Sequence, residues 1–457
     1  MLINKILLDK YNVPTPRYTS YPPANFFSED FTYAQSLEAL DISNKEQPEN
    51  ISFYIHIPFC SQLCYYCGCN THITNDKKSM QHYVDTIKKE ILLYKNHLSS
   101  HRKISQIHWG GGTPDYLSSE QIADIMAVFF ENFDFIDGAE IAMECHPAHL
   151  DFEYIDKLIA LRFNRISIGV QDFNENVLRA VNRAIPLIPI NELVNYLQKQ
   201  NISVNLDFVY GLPLQRLDEF TKTIQKAVEI APDRIALFSY AHVPWVKPHQ
   251  KILERYDLPD ASLKTEMFEA AYTIFQENNY ISIGLDHFAK PTDELSIALS
   301  NKVLSRNFQG YCTKTTTGQV YALGVSGISQ LSNSFLQNTK NITTYTQNID
   351  KGEFAFEKAY FLNREEKIIS YILTEIMSNR YLSFKEVSQR YTISYEEIIK
   401  ITKVDLGKLQ QFEDEGLLQL SKEEIKINHQ GLFFLRNIAS TFDPLMQKTN
   451  KQFSKAL

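Results

Sequence analysis

The sequence contains no run of about 18 or more apolar residues, so it predicts no membrane-spanning helix. The first twenty residues are interrupted by charges and contain no small-residue cleavage site, so we expect no signal peptide. An excess of basic residues is also lacking. The net charge of −8 argues against whole-surface binding to nucleic acid or an anionic membrane, although a local basic pocket for an anionic small molecule stays compatible with it. We therefore expect a cytoplasmic protein.

The composition is that of a globular protein with a large core, since 44% of the residues are hydrophobic and 22% are charged. The length of 457 residues exceeds one average domain. A large α/β barrel with an additional domain would account for it.

From Ile51 onward, short β-rich runs alternate with amphipathic stretches such as residues 80–98, 118–133 and 217–231. The amphipathic stretches carry apolar residues at i, i+3, i+4 and i+7, which predicts helices. Strand starts recur roughly every 30 to 50 residues, as in βα units with a parallel sheet. Six or seven units predict a complete or open barrel. The predicted strands are ISFYIHIP, ISQIHWG, AEIAMECH, RISIGVQD, SVNLDFVYGL and RIALFSYAH, with ISIGLDHFA as a seventh.

The conspicuous polar and glycine motifs fall where these strands end. A cysteine loop follows the first strand, GGGTP follows the second, ECHP closes the third and VQD closes the fourth. Because chemistry in such barrels sits at the carboxyl ends of the strands, we expect one site there.

The alternation of strands and helices ends at about residue 355. After that point the sequence predicts mostly helices with a small hairpin. This predicts a compact helical or winged-helix-like C-terminal domain, and its weak positive charge does not favour DNA binding. We divide the chain into an N-terminal extension (1–50), a barrel (51–350) and a helical C-terminal domain (351–457).

Four of the six cysteines lie within ten residues: Cys60, Cys64, Cys67 and Cys69. In a reducing compartment such clusters indicate metal ligands or redox groups. Three cysteines spaced CxxxCxxC can hold three irons of a [4Fe–4S] cluster, and the open fourth iron can bind S-adenosylmethionine (SAM). A four-cysteine zinc site with Cys69 as fourth ligand is the alternative. Otherwise Cys69 supports the loop, packs, or handles a proton or hydrogen atom near the substrate.

Ten motifs together make the chain resemble the radical SAM superfamily, and within it the oxygen-independent coproporphyrinogen III oxidases. The resemblance spans nearly the whole chain. The motifs are PRYTSYP (16–22), YIHIPFCSQLCYYCGCN (54–70), IHWGGGTPDYL (107–117), FNRISIGVQDFN (163–174), VNR (181–183), LDFVYGLP (206–213), YAHVPWVKPHQ (240–250), DHFAKPTDEL (286–295), RNFQGY (306–311) and RNIASTFD (436–443).

This resemblance implies an α/β fold with a partial (βα)6-type radical SAM barrel, and a [4Fe–4S] cluster on Cys60, Cys64 and Cys67. It implies one or two SAM molecules. The first site would use Tyr54, Gly111, Glu144 and Ile328. The second would use Tyr66, Gly112, Thr113, Gln171, Arg183, Asp207 and Ala241.

Simpler roles stay open for several of these residues. The glycines of GGGTP suit an ordinary tight turn, Glu144 suits a salt bridge in the barrel, and Arg183 and Asp207 suit an ion pair. Two departures from the family pattern also stand out. His146 occupies a position where the family more often has an aspartate, and AIPLIPI after Arg183 replaces a more polar segment.

The implied substrate, coproporphyrinogen III, carries four propionates, and its site needs cationic and hydroxyl donors. The candidate substrate or catalytic residues are Arg17, Tyr18, Tyr21, Cys69, Arg306 and Gln309.

The implied reaction is oxidative decarboxylation of two propionates to vinyl groups, giving protoporphyrinogen IX for heme synthesis. A 5′-deoxyadenosyl radical would remove a propionate β-hydrogen. An unidentified low-potential electron donor and an electron acceptor are required, and we expect a monomer with no nucleic-acid or membrane partner.

Two alternatives stay open. One is a heme-binding chaperone, a related branch that usually lacks both the fourth cysteine and the PRYTSYP segment. The other is a radical SAM enzyme that acts on heme by methyl transfer and ring opening.

Overall fold

The computed structural model describes residues 4–284, 286–314, 318–446 and 453. The strands are β1 Ile51–Ile57, β2 Phe59–Cys60, β3 His72–Ile73, β4 Ile104–Gly111, β5 Phe135–Cys145, β6 Arg165–Gln171, β7 Ser203–Tyr210, β8 Arg234–Ser239, β9 Ile281–Gly284, β10 His287–Ala289, β11 Leu304–Asn307, β12 Gly310–Thr313, β13 Gln319–Leu323, β14 Ile328–Gln330, β15 Ser334–Asn338, β16 Phe356–Phe361, β17 Tyr381–Ser383, β18 Leu418–Leu420 and β19 Glu424–Ile427.

The helices are α1 Lys5–Tyr11, α2 Tyr33–Ser43, α3 Lys77–His97, α4 Ser119–Asn132, α5 Phe152–Ala160, α6 Glu175–Ala180, α7 Ile190–Lys199, α8 Leu217–Ile230, α9 Ala261–Glu277, α10 Glu294–Ser300, α11 Ile342–Asp350, α12 Arg364–Thr374, α13 Phe384–Tyr391, α14 Tyr395–Thr402, α15 Leu406–Asp414 and α16 Leu435–Ser440. In the described part of the chain, no helix combines the length and apolar character that crossing a membrane requires.

A twelve-stranded sheet forms the centre of the molecule, in the order β16-β15-β14-β13-β1-β4-β5-β6-β7-β8-β10-β9. Neighbours from β13 to β8 pair in parallel. Six consecutive βα strands, β1 and β4 to β8, therefore form the predicted partial barrel. Their carboxyl ends lie at one edge, which brings together the loops that the sequence singled out.

The seventh predicted strand, ISIGLDHFA, is not a further parallel unit. It divides into β9 and β10, which pair antiparallel with each other, and β10 also pairs antiparallel with β8. The chain reverses between Gly284 and His287, where the backbone carbonyl of Asp286 accepts a hydrogen bond from the Leu237 amide over 2.7 Å. The barrel thus ends at six βα strands.

The longest helix shows how the local sequence builds the barrel wall. The side chain of Asp76 caps the amino end of α3, and Lys95 and His97 in its last turn face the negative end of the helix dipole. One face of α3 buries Tyr83, Ile87 and other apolar side chains. The sequence pattern and the burial therefore agree.

The C-terminal part is mostly helical, as predicted. Helices α12 to α15 pack around a three-stranded sheet in the order β17-β19-β18, which matches the expected winged-helix-like hairpin. The domain boundaries at 50 and 350 stay predictions. Beyond the second one, β16 still pairs with β15 of the main sheet.

Candidate active site

The cysteine loop leaves β1 at the carboxyl edge of the barrel. Its two ends are drawn together because Phe59 and Cys60 of β2 pair with His72 and Ile73 of β3. The loop between them carries the other three cysteines.

Residues after α6 hold one side of this loop through side-chain and backbone hydrogen bonds. The Asn182 side chain donates to the Leu63 carbonyl over 2.8 Å, and the Gln62 side chain donates to the Asn182 carbonyl over 3.1 Å. The Tyr65 amide donates to the Val181 carbonyl over 2.9 Å. The VNR motif therefore fixes the loop position.

The segment 247–250 holds the other side. Lys247 Nζ donates to the Cys69 carbonyl over 2.7 Å, and the Gln250 side chain donates to the Tyr66 carbonyl over 3.1 Å. His249 Nε2 lies 2.9 Å from the Cys67 carbonyl oxygen. These three residues lie in the motif YAHVPWVKPHQ, but no role was expected for them from the sequence.

Two of the cysteine sulfurs have a polar side chain at hydrogen-bond distance. Cys60 Sγ lies 3.2 Å from the Thr113 hydroxyl, and burial raises the pKa of Cys60 to about 11. Arg183 Nη1 lies 3.7 Å from Cys64 Sγ. Burial raises the pKa of Cys64, although the positive charge of Arg183 opposes the rise.

Cys67 and Cys69 form a pair in which the second supports the first. The Cys69 amide donates to Cys67 Sγ over 3.4 Å. A hydrogen bond from the Cys69 thiol lowers the pKa of Cys67 below its ordinary value, against the effect of burial. The same bond, together with burial, raises the pKa of Cys69 well above its ordinary value. The Cys69 amide and thiol thus both favour the thiolate form of Cys67.

These donors fit an iron–sulfur cluster. Three thiols lie on one loop, and Thr113 and Arg183 approach two of the sulfurs; hydrogen bonds to sulfur tune such clusters. Within the described residues, no group of three or more His, Cys, Asp or Glu side chains is arranged to hold a single metal ion.

The glycine loop after β4 approaches the cysteine loop closely. A Cβ added at Gly112 would lie 2.6 Å from the Pro58 carbonyl oxygen and 3.0 Å from Cys60 Sγ. Gly111 has φ +118°, which L side chains rarely adopt. This backbone therefore requires glycine at both positions, beyond what an ordinary turn would need.

Tyr54 on β1 and Glu144 on β5 flank His108, which lies on the intervening strand β4. Glu144 Oε1 is 3.1 Å from His108 Nε2, and the Tyr54 and His108 rings stack at 6.1 Å. The Tyr54 hydroxyl lies 3.1 Å from His56 Nδ1. Since the Glu144 side chain keeps 45% of its surface exposed, the contact with His108 does not occupy the whole carboxylate. Ile328 begins β14, two strands away from β1.

Arg183 lies at the centre of the proposed second cofactor site. Its Nη2 donates to the Gly169 carbonyl, and its Nη1 donates to the Tyr66 hydroxyl over 3.2 Å. A Cβ added at Gly169 would lie 2.7 Å from the side-chain Nε2 of Gln171 and 2.8 Å from Arg183 Nη2. The structure thus brings Tyr66, Gln171 and Arg183 together over Gly169.

Asp207 does not pair with Arg183 in the described structure. It accepts a hydrogen bond from Ser167 over 2.9 Å and from Asn205 over 2.7 Å. Burial raises the pKa of Asp207 to about 6, against these hydrogen bonds. The ion-pair alternative for Arg183 and Asp207 is therefore wrong.

His146, where the family more often has an aspartate, is held in a neutral setting. Its amide donates to Asp115 Oδ2 over 2.8 Å, and its ring lies 5.2 Å from that of His149. Burial, with help from the charges of Arg183 and His149, lowers the pKa of His146 to about 2. The apolar segment after Arg183 contacts this turn, because the Leu187 amide donates to the Pro147 carbonyl over 3.0 Å.

A cavity of about 570 Å³ opens between the barrel, the N-terminal segment and the C-terminal domain. Arg17 and Ala241 line it. Arg306 lies beside it, with its Nη1 3.3 Å from the Arg17 carbonyl oxygen. Gln309 lies in the β11–β12 turn, where its amide donates to Asn307 Oδ1 over 2.9 Å.

Tyr18 and Tyr21 are not among the residues that line this cavity. Both are buried, and the Tyr18 hydroxyl donates to Asp443 Oδ2 over 3.0 Å. In this structure the Tyr18 hydrogen bond fastens the N-terminal segment to the C-terminal domain, whereas the buried Tyr21 hydroxyl has no hydrogen-bond partner among the described residues. Contact with a substrate stays a prediction for both.

Comparisons with known proteins agree with this geometry. The family model described as "Radical SAM superfamily" matches residues 54–227, a range that contains the cysteine loop, the glycine loop, Glu144 and Asp207.

Similarity to individual proteins extends over nearly the whole chain. The oxygen-independent coproporphyrinogen III oxidase of Synechocystis is 38% identical over 99% of this chain and 97% of its own length. The protein of that name from Escherichia coli is 37% identical over 99% of this chain and 98% of its own length. A solved structure of the Escherichia coli coproporphyrinogen III oxidase superposes with a TM-score of 0.89 at 35% identity, covering 97% of this chain and 99% of the other.

Proposed function

The chain belongs to the oxygen-independent coproporphyrinogen III oxidases, which are radical SAM enzymes, and on that premise we propose how its residues serve the reaction. It is an enzyme of heme biosynthesis that oxidises coproporphyrinogen III without oxygen, and it uses a [4Fe–4S] cluster and SAM. Two propionates become vinyl groups with loss of carbon dioxide, and protoporphyrinogen IX results. Similarity to named oxidases over 99% of the chain carries this conclusion.

Cys60, Cys64 and Cys67 would hold the cluster. When bound, the cluster and SAM supply the one-electron chemistry that produces a 5′-deoxyadenosyl radical, which removes a hydrogen from the substrate. The Thr113 hydroxyl and the Arg183 guanidinium lie 3.2 Å and 3.7 Å from two of the ligand sulfurs, where they offset negative charge. These two groups would hold the ligand sulfurs in place when the charge of the bound cluster changes.

The first SAM site would lie across β1, β4 and β5. The half-exposed carboxylate of Glu144 is suited to accept hydrogen bonds from ribose hydroxyls. Gly111 lets a ligand approach the backbone, Tyr54 provides an aromatic wall, and Ile328 would add an apolar contact.

A second SAM would be bound by Tyr66, Gly112, Thr113, Gln171, Arg183, Asp207 and Ala241. Arg183, which is partly buried and held by the Gly169 carbonyl, and the Gln171 side-chain amide close to Gly169 support this proposal because both are polar groups beside the cysteine loop. Equilibrium dialysis with labelled SAM measures how many SAM molecules, one or two, bind to each protein chain.

The substrate would enter the cavity between the barrel and the C-terminal domain. Arg17 and Arg306 supply positive charge for propionates, and Gln309 and Cys69 are the remaining polar candidates. We further propose an external low-potential electron donor, a separate electron acceptor, a monomeric enzyme and the reducing cytoplasm, where the thiols stay available as ligands.

An anaerobic turnover assay tests this function. The reconstituted protein receives SAM, a low-potential reductant and coproporphyrinogen III, and the products are identified by mass. We expect stepwise loss of two carbon dioxides with formation of 5′-deoxyadenosine. Cleavage of SAM with an unchanged tetrapyrrole would contradict the substrate assignment.

Heme in place of coproporphyrinogen separates the two alternatives in the same assay. We expect no change in the mass of heme. A methylated or ring-opened product would favour the heme-modifying enzyme, and tight stoichiometric heme binding without any turnover of coproporphyrinogen III would favour the chaperone.

A further inference from the structure

The cavity between the barrel and the C-terminal domain contains an unbalanced set of positive charges. Its described lining includes four basic side chains, Arg17, Lys264, Arg380 and Arg436, and a single acidic one, Asp286. The molecule as a whole carries a net charge of −8. The excess of positive charge is therefore a local feature of this cavity.

Asp286 is already occupied by other groups. Its Oδ2 lies 3.4 Å from Arg17 Nη2, and its Oδ1 lies 2.7 Å from His287 Nδ1. Burial alone would raise the pKa of Asp286, but His287, Arg17 and Arg306 outweigh burial and hold that pKa well below its usual range. Among the ion pairs of the described residues, Asp286 pairs with neither Lys264 nor Arg380.

Lys264 and Arg380 donate to backbone carbonyls but form no ion pair within the described residues. Lys264 Nζ donates to the Tyr240 carbonyl over 2.8 Å, and Arg380 Nη2 donates to the Ser282 carbonyl. Arg380 Nε is a buried atom without a hydrogen-bond partner in the described structure. Burying a cation without a carboxylate or phosphate partner is costly, so a ligand that supplies one would relieve the cost.

Arg436 also lines the cavity. Its guanidinium donates to the Pro16 carbonyl over 3.1 Å and to the Thr15 carbonyl. Burial, followed by repulsion from Arg17 and Arg306, lowers its pKa to about 9. Three basic side chains from α9 and the C-terminal domain thus face one space together with Arg17.

The rest of the lining is apolar and aromatic. Tyr210, Leu237, Phe268 and Phe433 contribute to it, and the volume is about 570 Å³. Such a cavity suits a ligand with an apolar body and several carboxylates at its edge. Ala241, a residue of the proposed second SAM site, also lines the cavity.

We propose that Lys264, Arg380 and Arg436 bind the carboxylates of the tetrapyrrole that are not reacting, so that the C-terminal domain forms part of the substrate site. This inference rests on the proposed function. It assigns the substrate contact to residues outside the PRYTSYP segment, and it gives the C-terminal domain a role other than nucleic-acid binding.

Binding of coproporphyrin III to the reconstituted enzyme, followed by fluorescence, tests the proposal. This stable porphyrin carries the same four propionates as the substrate. In the Arg380→Gln and Lys264→Gln variants we expect Kd to rise roughly 10- to 100-fold, as for loss of a charge-assisted hydrogen bond. Arg380→Lys, which keeps the charge, should recover most of the affinity.

Two matched controls accompany the titration. Arg216→Gln removes a guanidinium that is 81% exposed before α8 and should bind as the parent does. Coproporphyrin III tetramethyl ester has no carboxylates, so the parent and the Arg380→Gln variant should bind it equally.

Equal affinity of the parent and both glutamine variants for coproporphyrin III would overturn the proposal. Equal losses for the acid and the ester would also overturn it, because they would indicate a disturbed fold instead of a lost carboxylate contact. A parent enzyme that binds coproporphyrin III through these residues but does not turn over coproporphyrinogen III would instead overturn the proposed function.

Discussion

The four cysteines of one short loop differ in what surrounds each sulfur. Cys60 lies near the Thr113 hydroxyl, Cys64 lies near Arg183, and Cys67 receives hydrogen bonds from Cys69. Cys69 thus acts on its neighbour and need not bind iron itself. This difference leads to a prediction for each position.

Serine substitutions separate ligands from supporting residues. Cys60→Ser, Cys64→Ser and Cys67→Ser should each lose most of the bound iron and sulfide, because three thiolates are the minimum for an open cluster. Cys69→Ser should keep the cluster, since only a hydrogen bond to Cys67 is altered. Iron and sulfide analysis with electron paramagnetic resonance of the reduced protein measures both; loss of the cluster from Cys69→Ser would show that Cys69 is a ligand.

The sequence predicted the residues of this site wherever the signal is local. The spacing of the cysteines and the glycines of GGGTP are visible within a few residues, and the structure brings the two loops into contact. Lys247, His249 and Gln250 hold the cysteine loop from about 180 positions away. A local sequence pattern does not reveal contacts between residues so far apart in the chain. The role of these three residues is therefore visible only in the folded structure.

At the scale of elements, α3 is tied to the main sheet by one buried carboxylate. Glu90 accepts hydrogen bonds from the Gly324 amide over 2.8 Å, from the Tyr345 hydroxyl over 2.5 Å and from the Asn338 side chain over 2.8 Å. Burial raises the pKa of Glu90 to about 7, although these hydrogen bonds oppose the rise. The folded protein therefore holds the proton more tightly than the unfolded chain.

This pKa predicts a pH-dependent stability contribution. Between pH 4.5 and about 7 the unfolded chain loses the Glu90 proton first, so the folded state should lose about 3 kcal/mol relative to a Glu90→Gln variant as the pH rises. Above pH 7 the difference should stay constant. Chemical denaturation of both proteins from pH 4.5 to 8 measures it.

Glu38→Gln is the control for that measurement, because Glu38 is exposed on α2. It should follow the parent at every pH. Identical pH dependence of the parent and Glu90→Gln would contradict the account.

The N-terminal segment is held by the C-terminal domain through Tyr18 and Asp443. Because Asp443 is 1% exposed, Tyr18→Phe should weaken the local structure of residues 15–21 by about 1–3 kcal/mol. Hydrogen exchange of this segment measures the change as a lower free energy of local opening. Tyr196→Phe removes an exposed hydrogen bond of 2.6 Å to Asp156 and should have little effect; unchanged exchange at residues 15–21 in Tyr18→Phe would contradict the prediction.

Elements were predictable from the sequence where hydrophobic periodicity decides them. The six βα strands and their helices show that periodicity, and the structure contains them. The reversal that separates β9 from β10, and the parallel pairing of β13 with β1, depend on contacts between distant residues. Periodicity does not specify such pairings, so the sequence left six or seven units open, and only the structure shows that ISIGLDHFA forms two antiparallel strands.

At the scale of the whole molecule, the candidate active site is assembled from three parts of the chain. The barrel carries the cysteine and glycine loops, and the cavity proposed for the substrate is lined by Arg17 from the N-terminal segment and by Arg380 and Arg436 from the C-terminal domain. Residues from all three segments that the sequence distinguishes therefore contribute to the candidate site.

Hydrogen transfer from substrate to cofactor tests the central claim most directly. Coproporphyrinogen III deuterated at the propionate β-carbons would be turned over anaerobically, and 5′-deoxyadenosine would be analysed by mass. The account predicts that each carbon dioxide released is accompanied by one deuterium in 5′-deoxyadenosine. Release of carbon dioxide with unlabelled 5′-deoxyadenosine would contradict it.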